Sequence, residues 1–398
     1  MGLFNMFKKK LEHKGFNSGL IVNSLDITNP DRLSRKTSIE SNNGWVYGVT
    51  NLVANNIAFQ KLKLYVKTNK NQAGVKNFET KVLNILEKKS LNLISDATVE
   101  QIIDYPAQTL IRNCNNYTDG FNLIYMTQLW MDLVGDAYWY IVKDTNNTPI
   151  EIHLLNALNM LVVPNSSSSS IQGYLFQGKN GNIAFSTDEI VKFSNSGITS
   201  KWYGTSPLMA QSGIVGGLKI AEGLEYSLLK NSGIPPLILK YKGNLTKPEI
   251  RTLELEWKRA TTGNKNGNIK VMDSNFETEN IAQELDKLLL KEYKIMNLKS
   301  ICLAYGVPYS LIDTADQKKA GLDQILEMLS LNCVIPRLTR IEQVLNQQYL
   351  PMFDTTGDLR FHYDDPSPYS QKQEADILTS YVSGGILSVD EARGILGL

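Results

Sequence analysis

Residues 207–236 read PLMAQSGIVGGLKIAEGLEYSLLKNSGIPP, and this stretch decides the architecture. Met209, Ile214, Leu218, Ala221, Leu224 and Leu228 fall on one face at helical spacing, which predicts a long helix opening after Pro207. Asn231-Ser232-Gly233 is a stop signal, and Pro235-Pro236 cannot continue a helix. A compact insert follows. It reads as a strand over 237–241, a helix over 247–260 with Thr246 as N-cap, and a strand over 268–272. A second long helix is predicted over 281–305, ended by Gly306-Val307-Pro308. Two long helices thus bracket an α/β insert of some 50 residues.

Outward from this unit, 45–58 is an amphipathic helix with Val46, Val49, Val53 and Ile57 inward. Leu62, Leu64 and Val66 alternate as a strand, and 81–88 reads as a helix. Residues 17–44 are polar, rich in Asn and Ser, and read as an extended arm or loop. Helix 121–134 runs through Gly135 into Ala137-Tyr138-Trp139-Tyr140-Ile141-Val142, a strand rich in aromatic and β-branched residues. Residues 145–149 form a turn. Further strands read at 150–155, 159–163, 174–177, 181–185 and 190–193, and the serine run at 166–170 reads as a hairpin loop. Downstream of 308, a polar loop over 313–320 precedes a third long helix, 321–348, bent at Pro336. A strand at 359–363, a turn at Asp364-Asp365-Pro366 and two short helices close the chain. The fold class is α+β.

Chemistry-bearing patterns are sparse. No P-loop, GxSxG elbow, HExxH pair or GxGxxG fingerprint occurs, and Gly178-Lys179-Asn180-Gly181 is a hairpin turn. Cys114, Cys302 and Cys333 are far apart, and His13, His153 and His362 lack partners at zinc-ligand spacing, so neither metal nor cofactor is expected. Asp364 and Asp365 are adjacent and point to opposite faces, which does not suit a two-metal nuclease. No stretch approaches the length of a membrane span. The segment before residue 17, with Lys8, Lys9 and Lys10, reads as a basic arm. A formal net charge of +1 argues against a protein that grips DNA through a strong basic excess. Two cationic features stand out. Lys258, Arg259, Lys265 and Lys270 share an acid-free window at the tip of the insert, which suits either a solvated loop or a docking surface. Lys318 and Lys319 lie in the polar loop between two long helices, either as an ordinary connection or as a loop that touches phosphates without base readout.

Six patches, in order, resemble one family. Gly135-Asp136-Ala137-Tyr138 resembles the GNAY strand of the HK97-type phage portal proteins, and Gly204-Thr205-Ser206-Pro207-Leu208 its G-x-SPL segment. Asn231-Ser232-Gly233-Ile234-Pro235 is similar to the segment leading into its clip, and Gly306-Val307-Pro308 to its GVP. Pro336, Ile341-Glu342 and Leu345-Asn346 are similar to its helix motif P…IE..LN. Residues 385–393, GILSVDEAR, resemble its C-terminal G-x-LT-x-NEAR. Asp136 departs from the usual Asn, and Cys114-Asn115 from a common Pro-Asn pair.

The resemblance implies an arm at 1–24, a mixed α/β wing at 25–205 returning at 348–368, and stem helices at 206–232 and 281–306. It further implies a small α/β clip at 233–280, a tunnel loop at 307–320, a bent tunnel helix at 321–347 and a short helical crown at 369–398. The implied protein is not an enzyme. It forms a ring, usually of twelve copies, at one capsid vertex of the virion and is assembled in the host cytoplasm. Double-stranded DNA passes through it without sequence specificity. Thr314, Asp316, Gln317, Lys318 and Lys319 would face that DNA. Lys258, Arg259, Lys265 and Lys270 would face the large terminase ATPase and later a head–tail adaptor. Major capsid protein or scaffold would surround it, with no membrane partner. Another ring-forming virion adaptor or a DNA-processing packaging enzyme is the alternative.

Overall fold

The structure is a computed structural model that describes residues 32–68, 80–82, 98–165, 170–179, 181–197, 200–230, 237–241, 246–261, 276–280, 290–313, 321–354, 356–364, 366 and 371–396. The chain divides into two units, Met1–Ala210 with Cys302–Leu398, and Gln211–Ile301. In chain order the elements are α1 (Arg32–Glu40), α2 (Gly44–Phe59), β1 (Leu62–Thr68), β2 (Thr80–Val82), β3 (Thr98–Ile102), α3 (Pro106–Arg112), α4 (Gly120–Val134), β4 (Asp136–Lys143), β5 (Pro149–Leu155), β6 (Met160–Pro164), β7 (Ile171–Gly178), β8 (Gly181–Phe185), β9 (Ile190–Ser194) and α5 (Pro207–Ala210). Then come α6 (Ser212–Lys230), β10 (Leu237–Tyr241), α7 (Lys247–Thr261), β11 (Phe276–Asn280), α8 (Leu290–Tyr305), α9 (Leu322–Leu329), α10 (Ile335–Val344), β12 (Leu359–Tyr363), α11 (Gln371–Ser383) and α12 (Val389–Leu396).

β4 organises the larger unit because its aromatic residues alternate between two buried faces. Trp139 packs against Phe193 with ring centroids 4.7 Å apart, and its indole N–H donates to Thr127 of α4 at 2.7 Å. On the opposite face Tyr138 meets Tyr174 of β7, and Tyr140 meets Phe185 of β8. The antiparallel sheet β5-β4-β9 therefore has helix on one side and the sheet β6-β7-β8 on the other. Asp119 caps α4 by accepting the Asn122 N–H at 2.7 Å, and Gly135 ends it with φ 95, a conformation glycine adopts without a Cβ clash.

The third sheet of this unit runs β12-β1-β3-β2, with Leu64, Val66, Ile102 and Phe361 buried. β12 forms one edge, and side chains from the helix before it cover that edge. Asn346 accepts the Phe361 N–H at 2.8 Å and donates to the Phe361 carbonyl at 3.0 Å, while Glu342 accepts from the Tyr363 N–H and pairs with His362 at 2.9 Å. A strand edge closed in this way is no template for pairing. Asn346→Ala should leave both Phe361 groups unmet and cost about 1–3 kcal/mol, seen as a lower urea midpoint at unchanged slope. An unchanged midpoint would remove Asn346 from this role.

Several expectations hold, and several need correction. Strands β4 to β9 and β12, helices α2, α4 and α7, and the two C-terminal helices lie where their patterning predicts. The arm or loop expected over 17–44 is wrong for Arg32–Glu40, which is helical because Arg35 finds a buried carboxylate elsewhere; residues 17–31 lie outside the described residues. The helix expected over 81–88 fails at its start. Lys81 and Val82 belong to β2, which pairs with Gln101 and Glu100 of β3, and 83–88 lie outside the described residues. In the insert β10 pairs with β11 at Phe276–Asn280, a polar run whose composition does not predict a strand. The expected strand 268–272, the serines 166–169, the stop at 231–236 and the opening residues 281–289 of the second long helix lie outside the described residues. The third long helix begins at Leu322 and carries two π-helical segments, Ser330–Val334 and Leu345–Tyr349. The first ends two residues before Pro336, whose missing N–H cannot bond the Asn332 carbonyl, and the helix ladder is widened at that point.

Candidate functional site

Four of the six motif segments, those at Gly135–Tyr138, Gly204–Leu208, Gly306–Pro308 and around Pro336, meet inside the larger unit on buried polar groups. Gly135 and Gly204 meet backbone to backbone. A Cβ on Gly204 would lie 2.2 Å from the Gly135 carbonyl and 2.5 Å from that of Asn195, and a Cβ on Gly135 would lie 2.4 Å from the Gly204 carbonyl. Beside this contact the carboxylate of Asp136, fully buried, accepts from Arg35 at 2.7 Å, Ser194 at 2.7 Å and the Gly204 N–H at 3.0 Å; Lys192 lies 3.6 Å away. Arg35 also lies over the Tyr203 ring, and Lys192 donates to the Trp202 carbonyl. Burial depresses the Lys192 ammonium, and the neighbouring Asp136 opposes that fall.

A second polar centre lies one turn of α4 away. The Asp132 carbonyl accepts from Ser206 at 2.7 Å and from Tyr305 at 3.2 Å. Ser206 in turn accepts the N–H groups of Leu208 and Met209, capping α5. Arg337 donates to the carbonyls of Tyr305 and Cys333, both at 3.0 Å, and reaches the Asp132 carboxylate at 3.5 Å. Burial raises the Asp132 carboxyl against the pull of Arg337. Gly306, with φ 71, packs against the Asn332 carbonyl, where a Cβ would lie 2.6 Å away. That is the carbonyl Pro336 cannot serve. Asn195 links the two centres by donating to the Met131 carbonyl at 2.7 Å and accepting from Arg340.

This arrangement is architectural. Both carboxylates are met by cations within the fold, and the thiols of Cys114, Cys302 and Cys333 are each pushed up to about 11 by burial, the wrong direction for a nucleophile. Among the described residues no group of three or more His, Cys, Asp and Glu side chains is placed to hold a metal ion, and no helix is long and apolar enough to cross a membrane. Thr314, Asp316, Gln317, Lys318, Lys319, Lys265 and Lys270 lie outside the described residues. The backbone of α7 runs through Lys258 and Arg259, whose side chains are likewise outside them. Arg35, Lys192 and Arg337 carry no mark in the sequence that singles them out. The available signal is Asp136 itself, a carboxylate in an apolar strand, which requires a buried cation from somewhere in the chain.

No curated protein matches the chain significantly. Among solved structures, a chain from the neck of an empty gene transfer agent particle is 21% identical with TM-score 0.64, covering 92% of this chain and 93% of its own length. A chain from the neck of the native particle, computed with C12 symmetry, is 21% identical with TM-score 0.62 over 92% and 93% of the two chains. An HK97 family phage portal protein from Corynebacterium diphtheriae is 16% identical with TM-score 0.55, over 86% of this chain and 96% of its own. These likenesses establish the fold. The family model described as phage portal protein matches residues 45–397, a span that takes in every motif meeting at the buried junction, and the chain belongs to the phage portal protein family.

Proposed function

We propose that this portal protein assembles into a ring at one vertex of a virion and forms the channel for double-stranded DNA during packaging and ejection. The family match over 45–397 carries this reading. Twelve copies are the expected number, as in the similar neck chain computed with C12 symmetry. The exposed apolar side chains of α8 and of the helix after it support burial between copies: Leu303 is 81% exposed, Met296 60% and Leu322 59%. The balanced charge suits a conduit, since a cationic lining would hold phosphates and oppose passage. The motor is then a separate protein, the large terminase, docked at the insert near Lys258, Arg259, Lys265 and Lys270 and later replaced by a head–tail adaptor. Capsid protein or scaffold surrounds the ring, and the role is structural rather than catalytic.

Native mass of the purified protein, with negative-stain imaging, tests the ring. A closed ring with a central hole wide enough for a duplex is expected; a compact dimer would overturn the proposal. Replacing Lys318 and Lys319 together with alanine should leave ring mass unchanged and alter the amount of DNA packaged. Failure of that variant to form rings would remove the loop from the channel. Charge reversal at Arg259 and Lys265 should weaken motor binding, and unchanged binding would clear the insert of that role.

A further inference from the structure

A cleft of about 480 Å³ opens on the larger unit between α2, β1, α3, α4 and the end of β12. Its walls combine three features. The apolar part is formed by Leu62, Ile111, Phe121 and Ile124. Gln60 and Gln101 add polar side chains, and the buried Gln108, whose amide N–H donates to the Leu62 carbonyl at 2.9 Å, lies in the wall behind them. Lys61, Lys63 and Arg112 supply positive charge. Lys63 is paired with Asp364 at 2.8 Å, whereas Lys61 and Arg112 are exposed and make no side-chain hydrogen bond or ion pair among the described residues. Asp119 is the one acidic side chain among the described residues that line the cleft, and both its oxygens are taken by Asn122 at the start of α4.

We infer that this cleft is a docking site for a short acidic and apolar peptide segment of a partner protein, distinct from the channel and from the motor-facing insert. An apolar side chain seats on Ile111, Phe121 and Ile124. A carboxylate beside it meets Lys61 and Arg112, which have no side-chain partner among the described residues. Nucleic acid fits less well, because the apolar Leu62, Ile111, Phe121 and Ile124 that share the cleft with the cations offer nothing to a sugar–phosphate backbone. The volume also falls in the range of sites that enclose a few side chains.

The test uses the full-length protein and a fluorescein-labelled pentapeptide of alternating leucine and aspartate, amidated at its C-terminus. Fluorescence anisotropy should show saturable binding. It should weaken about ten-fold in the double variant K61E/R112E, and about ten-fold when lysine replaces aspartate in the peptide. Both substituted residues are exposed, so native mass and thermal midpoint should match the unsubstituted protein, which separates this site from ring assembly. A second variant, Phe121→Ser, should weaken binding with the charges intact. Absence of binding, equal binding by K61E/R112E, or equal competition by a short oligothymidylate would overturn the inference.

Discussion

Replacing Asp136 with asparagine lowers stability by about 3–5 kcal/mol, the cost of leaving buried charge without its partner. The amide oxygen can still accept from Ser194 and from the Gly204 N–H, so the hydrogen-bond geometry survives. The charge does not. Arg35, 2% exposed, and Lys192, with a side chain 10% exposed, then face each other across a site with no anion. The usual residue of the GNAY strand is therefore the damaging one in this chain, because two cations have been built around the carboxylate. The triple variant R35M/K192M/D136N should recover most of the loss, since apolar side chains of similar reach need no counter-charge. Urea unfolding followed by tryptophan fluorescence reads both effects, and a single variant within about 1 kcal/mol of the parent, a threshold of one ordinary hydrogen bond, would show that Asp136 does not carry the balance.

Gly204→Ala has the other large effect, about 4 kcal/mol or more, expected as loss of soluble protein at 37 °C. The added methyl would stand 2.2 and 2.5 Å from two backbone carbonyls, those of Gly135 and Asn195, which are themselves fixed by the Asn195 N–H donating to Gly135 at 2.8 Å. No side chain can swing away to make room. Gly216→Ala is the matched control: nothing lies within 4 Å of a methyl added at that position on α6, and helix propensity favours alanine by about 1 kcal/mol. Equal solubility of the two variants would contradict the close approach at Gly204.

The parts of the fold legible in sequence are those whose own patterning matches their burial. The apolar repeat of Val46, Val49, Val53 and Ile57 and the alternation of Tyr138, Trp139 and Tyr140 report directly on the faces they cover. Helix Arg32–Glu40 is not legible in this way. It is polar in most of its positions, and its reason for order is an ion pair with a residue 101 positions away. β11 is likewise held by its partner more than by intrinsic preference: Glu277, Glu279 and Asn280 are depleted in strands, and the segment gains its conformation from β10. The motifs are visible as a family resemblance, yet their work is not. Nothing in the spelling of Gly135 and Gly204 says that the two glycines touch, or that Gly306 leaves room for the carbonyl that Pro336 abandons.

The separation between the partners of the buried junction has a consequence for synthesis. Asp132 meets Arg337 205 residues later in the chain. At about 5–20 residues per second, the carboxylate leaves the ribosome roughly 10–40 s before its cation exists. Until then the larger unit cannot close around it. A chain that terminates early, anywhere before Arg337, carries an open core and an unclaimed acid where a finished chain carries a sealed one. Ring assembly that recruits only closed subunits would exclude such incomplete copies without any separate inspector.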